Sequence, residues 1–211
     1  MEDGEVLHDS SDPLAEALSA FLGHGTTTSA LARVLAHGSS KAAVSYEEIK
    51  QIIGDDVEET LLMADEWRLM LPVRTMKSSS WEDRLLIIKD GEAYEIPNIV
   101  RYMAREALRT GTWNPENAIG ELFKELGDPN RKQIPELVKS ITEEAGSHKI
   151  TANQIKMICL GLGLSNRVDS LIAELKAAGI ISPSLSSLTE ASKKGSPIYE
   201  VNPAVAVGLS E

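Results

Sequence analysis

The residues with the chemistry to bind a metal or move a proton are few here: four histidines, one cysteine and carboxylates in adjacent pairs. His8, His24, His37 and His148 are scattered, without a Cys, His or carboxylate companion at metal-ligand spacing. Cys159 stands alone, so it forms no internal disulfide. Its setting in Ile155-Lys156-Met157-Ile158-Cys159-Leu160 predicts a buried, inert thiol on an apolar helix. The pairs Asp55-Asp56, Glu58-Glu59 and Glu143-Glu144 lack the apolar cleft that would split two carboxyl pKa values for acid–base work. Gly161-Leu162-Gly163-Leu164 lacks the Gly-Lys-Ser/Thr of a phosphate loop and reads as a turn between helices. Ser78-Ser79-Ser80 lacks the Gly-x-Ser-x-Gly elbow of a nucleophilic serine. The expectation is a protein that is not an enzyme, with no cofactor, no metal and no small-molecule substrate.

That leaves binding. Of 211 residues, 42% are hydrophobic and 25% charged, enough for a packed core. Aromatics are 4%, so the core must be aliphatic, which favours helices over a large β-sandwich. No apolar run approaches the roughly 18–20 residues of a membrane span. The stretch from Met1 to Ser11 is acidic, without the basic-then-apolar layout of a secretion signal. With a single cysteine, these features predict a cytoplasmic chain off the membrane. Net charge is −11, unevenly spread. Residues 1–110 hold 11 Lys+Arg against 20 Asp+Glu, whereas 131–194 hold 9 against 6. The first half should repel a phosphate backbone; the second need not.

Two stretches echo each other, Val44-Ser45-Tyr46-Glu47-Glu48-Ile49-Lys50 and Ile150-Thr151-Ala152-Asn153-Gln154-Ile155-Lys156. In each, a Ser or Thr is followed three residues later by Glu48 or Gln154, the signature of a capped helix start. A second helix follows in each copy, from about Asp56 to Arg68 and from Asn166 to Ala178. The first carries Val57, Leu61, Leu62, Ala64 and Trp67 on or near one face, the second Val168, Leu171, Ile172 and Leu175. Gly179 ends the latter. Short strands closed by proline come next, Leu69-Met70-Leu71-Pro72 and Gly179-Ile180-Ile181-Ser182-Pro183. A polar stretch then leads to a last strand in each copy, Ala93-Tyr94-Glu95-Ile96-Pro97 and Ile198-Tyr199-Glu200-Val201-Asn202-Pro203. The offset is 106 at Ile49/Ile155, 111 at Pro72/Pro183 and 105 at Tyr94/Tyr199, shifting only where loops fall.

Each copy is preceded by a helix, Thr28 to Ala36 or Gln133 to Ala145, after outer helices from Pro13 to Leu22 and from Pro115 to Leu126. Asn98 to Arg109 reads as a linking helix. Three helices followed by strand, polar loop and strand is an order similar to that of the winged-helix superfamily, here in tandem. The predicted fold class is mainly α with small β-hairpins (α+β): two winged-helix units joined by a linking helix. Its parts are an acidic N-terminal segment with an outer helix (1–25), unit 1 (26–97), linking helices (98–130), unit 2 (131–203) and a C-terminal tail (204–211). The resemblance implies fold and not one function. Tandem winged helices occur in transcription regulators and in acidic adaptors such as the kleisin-associated subunits of chromosome-condensing complexes; no motif assigns this chain to the latter.

The resemblance also implies that the last of the three helices can enter a DNA major groove, with the wing on the flanking backbone. From Gly54 to Trp67 the first copy carries Asp55, Asp56, Glu58, Glu59, Asp65 and Glu66 and no Lys or Arg, an arrangement phosphates repel. In the second copy the corresponding helix begins Ser165-Asn166-Arg167, and the wing carries Lys193-Lys194. Asn166 and Arg167 suit base edges, Lys193 and Lys194 the backbone. Asp169 and Glu174 share the helix, so a solvated surface of mixed charge is the preferred reading. Trp81, Met76 and Trp113 are the candidate anchors of a protein interface. A non-catalytic regulator or adaptor is therefore expected, with a protein partner or self-association favoured. DNA binding through unit 2 is the alternative.

Overall fold

Ser45 and Thr151 each close a short strand and begin a helix. The computed structural model describes residues 12–73, 80–184 and 195–209. Glu48 N donates to Ser45 Oγ at 3.2 Å while Ser45 N donates to Glu48 Oε2 at 2.9 Å; Thr151 and Gln154 repeat this reciprocal pair at 3.2 and 3.0 Å. Two free amides at each helix start are thereby satisfied.

The chain runs α1 (Asp12–Leu22), α2 (Thr26–Gly38), β1 (Ala43–Ser45), α3 (Tyr46–Ile53), a 3-10 turn (Gly54–Asp56), α4 (Val57–Glu66), β2 (Leu71–Pro72) and β3 (Ala93–Glu95). Two helices follow, α5 (Asn98–Thr110) and α6 (Pro115–Glu125). The first order then recurs from α2 onward: α7 (Ile134–Glu144), β4 (Lys149–Thr151), α8 (Ala152–Gly161), a 3-10 turn (Ser165–Arg167), α9 (Val168–Ala178), β5 (Ile181–Pro183) and β6 (Ile198–Val201). A last helix, α10, spans Pro203–Val207. The protein is thus largely helical with two small antiparallel sheets, ordered β1-β3-β2 and β4-β6-β5.

The registers place the repeat on a common frame. Tyr94 lies opposite Val44 on one side and Pro72 on the other; Tyr199 lies opposite Ile150 and Pro183. Each sheet has three strands where the sequence predicts a two-stranded hairpin. The additional strands, β1 and β4, are three residues long with one buried residue each, too short to show a period of two. They form because the open edges of β3 and β6 carry amides and carbonyls that need partners.

α4 and α9 end alike. Leu69 N donates to Ala64 O and Arg68 N to Asp65 O, while Ile180 N donates to Leu175 O and Gly179 N to Lys176 O. Each is a Schellman motif, whose turn residue must adopt a left-handed conformation. Gly179 does so at φ 77° without steric cost, and a Cβ there would stand 2.6 Å from Pro97 Cβ. Arg68 does so at φ 52° and accepts the strain.

One core runs through both copies. Its spine is α5, whose Ile99, Val100, Met103, Ala104 and Ala107 are fully buried against α1, α2, α6, α9 and α10. Each large side chain so buried contributes about 1.5–3 kcal/mol. Polar bonds add direction. Asn202, wholly buried, donates from Nδ2 to the carbonyls of Arg68 (3.2 Å) and Gly179 (3.1 Å), the matching turn residues of the two copies. Among the described residues no helix is long and apolar enough to cross a membrane.

Candidate functional site

The outward face of α4 is acidic, with no Lys or Arg from Gly54 to Glu66. Glu58, Glu59 and Glu66 are exposed around Leu62, with Asp55 and Asp56 on the preceding turn. Leu62 is 52% exposed. The inward face uses Val57, Leu61 and Ala64, so Leu62 departs from the core face expected of it. Its spacing from Glu58 and Glu66, one helical turn each way, is the signal that marks it as outward. α8 departs similarly. Ile155 and Cys159 are buried, but Met157 stands 64% exposed, and Leu160, three residues on, is also exposed.

At the start of α9 the structure relocates a candidate DNA contact. Arg167 Nη2 bonds Asp128 Oδ2 at 2.8 Å and Glu174 Oε1 at 2.9 Å; Nη1 bonds Asp128 Oδ1 at 3.0 Å and Asn130 Oδ1 at 2.8 Å. The Asp128 side chain is only 6% exposed. Arg167 holds Asp128's carboxyl below the usual carboxylate range, whereas burial pushes Glu174's up. The guanidinium is held by five acceptor atoms, on Asp128, Asn130 and Glu174, which join the α6–α7 loop to α9. Asn166 is exposed beside it. Lys193 and Lys194 lie outside the described residues.

The tryptophans are also drawn inward. Trp81 is 5% exposed, and its backbone N donates to Ser182 Oγ at 3.0 Å in the other copy's sheet. Next to it Glu82 accepts from Ser184 Oγ and Lys149 Nζ, each at 3.2 Å. Trp81 is thus an anchor between the two copies and not a free surface anchor. Trp113 Nε1 donates to Ala204 O at 2.8 Å, and its ring leans on Phe21 with centroids 5.6 Å apart. Met76 lies outside the described residues. The exposed apolar residues sit elsewhere on the same hairpin. In the extended run after Trp81, Leu86 and Ile88 pack on the core while Leu85, 75% exposed, and Ile87 face out. Tyr94 Oη donates to Ile87 O at 2.6 Å, and burial pushes the phenol up to about 12. The alternation of Leu85 to Ile88, inside a stretch read as polar, was the available signal.

Among the described residues no three His, Cys, Asp or Glu side chains gather to hold a metal ion. His37 and Lys41 converge instead on Glu48, with Lys41 Nζ at 2.5 Å and His37 Nε2 at 3.4 Å. Bonds from Lys41, the Ser45 amide and His37 lower the Glu48 carboxyl to about 2. Cys159 is fully buried, and burial pushes its thiol up, away from the reactive thiolate.

One protein-family model matches residues 16–210, and the chain belongs to that family, which is uncharacterised. No curated protein and no solved structure matches the chain.

Proposed function

We propose that the chain is a non-catalytic adaptor or regulator made of two winged-helix units, and that it acts by binding a protein. In this reading α2 to β3 form the first unit and α7 to β6 the second. Support for the winged-helix assignment comes from the order helix, strand, helix, helix, strand, strand, with the last strand between the other two in both sheets. The observation that carries the function is charge: α4, in the position of a reading helix, presents Leu62 among Glu58, Glu59 and Glu66 with no cation from Gly54 to Glu66. Such a face repels phosphate and complements a basic protein segment with an apolar residue at its centre. In the second unit the cation that would meet DNA, Arg167, is held by Asp128 and Glu174.

Two measurements test this. Fluorescence anisotropy with labelled duplex DNA at low and moderate salt should show no saturable binding. Salt-sensitive binding lost in a Lys193→Glu/Lys194→Glu variant would establish DNA recognition by unit 2 instead. For the protein reading, a partner captured by the wild-type chain should be lost by Leu62→Arg, whose melting temperature should stay unchanged because the site is exposed. A partner retained equally by Leu62→Arg removes α4 from the reading.

A further inference from the structure

Between the two copies lies a cleft of about 350 Å³, within the range of small-ligand sites. Its walls carry three cations, Arg84, Arg101 and Lys176, and one carboxylate, Glu95. Arg84 pairs with Glu95, which leaves two cations in excess in a protein of net charge −11. Arg101 bonds Asn98 Oδ1 through Nη2 and has no carboxylate partner among the described residues. The Nε atoms of Arg84 and Arg101 are both buried without a hydrogen-bond acceptor. Arg84 has Glu95 to offset it, but a guanidinium placed as Arg101's is costly unless negative charge stands nearby.

The backbone adds to the same field. α5 begins at this cleft, its N-cap Pro97 offers no side-chain acceptor, and its first turn has no acidic residue. The positive end of its helix dipole is therefore not offset by any residue of the helix itself. Asn202 occupies the matching place in the second copy and caps α10 through Ala204 N at 3.0 Å. The apolar part of the wall includes Trp81, Ile96 and Pro97 from the first copy and Ile181 and Pro183 from the second.

We propose that this cleft binds a small molecule through an oxyanion, phosphate or carboxylate, held by Arg101 and Lys176 with Arg84 and the start of α5 behind them. Because Arg84 and Pro97 come from the first copy and Lys176 and Pro183 from the second, a bound ligand ties the two in one arrangement. Guanidinium groups favour such planar or tetrahedral oxyanions through paired N–H donors.

The test uses the full chain, with inorganic phosphate and succinate as separate probes against chloride at matched ionic strength. Thermal melting of the wild type should rise with at least one probe, on the order of 5 °C at a hundredfold excess over Kd. The probe that acts distinguishes a phosphate from a carboxylate ligand. Arg101→Gln and Lys176→Gln should each abolish the rise. Lys176 is exposed and its variant keeps the fold, so the test stands even if Arg101→Gln is unstable. No rise with either probe, or a rise undiminished in Lys176→Gln, overturns the proposal.

Discussion

At the end of its last strand the first copy reads Tyr94-Glu95-Ile96-Pro97-Asn98, and the second reads Tyr199-Glu200-Val201-Asn202-Pro203. The two tyrosines hold the same register, yet the neighbouring residues diverge in use. Glu95 pairs within its own copy, with Arg84, while Glu200 reaches Arg68 of the other at 3.0 Å. Exchanging the order of Pro and Asn changes the helix that follows. Asn202 caps α10 and bridges both copies, whereas Pro97 leaves the start of α5 without a side-chain cap. A similar contrast holds at the residue just before each third helix, where exposed Asp56 in the first copy corresponds to captive Arg167 in the second. A repeated frame thus keeps its apolar register and caps, and differs where polar residues face either solvent or the other copy.

The largest test of this contrast is Asn202→Ala. It removes the α10 cap and leaves the buried carbonyls of Arg68 and Gly179 short of a donor. A loss of about 4 kcal/mol in urea unfolding is expected from these terms together. A loss within the range of an ordinary surface change would mean that the apolar core alone holds the two copies. Next comes Arg167→Gln, expected to cost about 2–3 kcal/mol, somewhat below a fully buried pair because Glu174 keeps contact with water. Asp56→Arg, at the matching exposed place, should change stability by under about 0.5 kcal/mol. If the two substitutions cost the same, Arg167 is a surface residue in solution and the DNA alternative gains ground.

The smallest effect separates the two capping boxes by pH. Glu48 is lowered to about 2 by Lys41, the Ser45 amide and His37, so its contribution is full above the ordinary carboxylate range and fades as pH falls toward 2. Gln154 does the same work without titrating. Glu48→Gln should therefore be slightly less stable than wild type at neutral pH, with the gap closing in acid. An NMR titration placing the Glu48 carboxyl near the usual carboxylate value would contradict the network around it.

Much of the frame was legible in the residues. Capping boxes, Gly179 as a helix stop and the Tyr-Glu echo rest on local chemistry, and sequence-adjacent groups met as their spacing required. β1 and β4 were not legible, because their pairing depends on an edge some 50 residues away. The candidate surface residues fared differently, since side-chain availability is a tertiary property. Arg167 was legible as a cation, but Asp128 claims it from 39 residues away, and the Trp81 side chain is buried where its backbone amide meets Ser182, 101 residues away. Arg84, Arg101 and Lys176 carry no shared motif, so their common cleft exists only once both copies are packed on α5. The sequence determined which segments become helices and where they start, since those energies are short-range. Which charged and aromatic side chains remain free for a partner was decided by packing, because burial and ion pairing are settled only when distant segments meet.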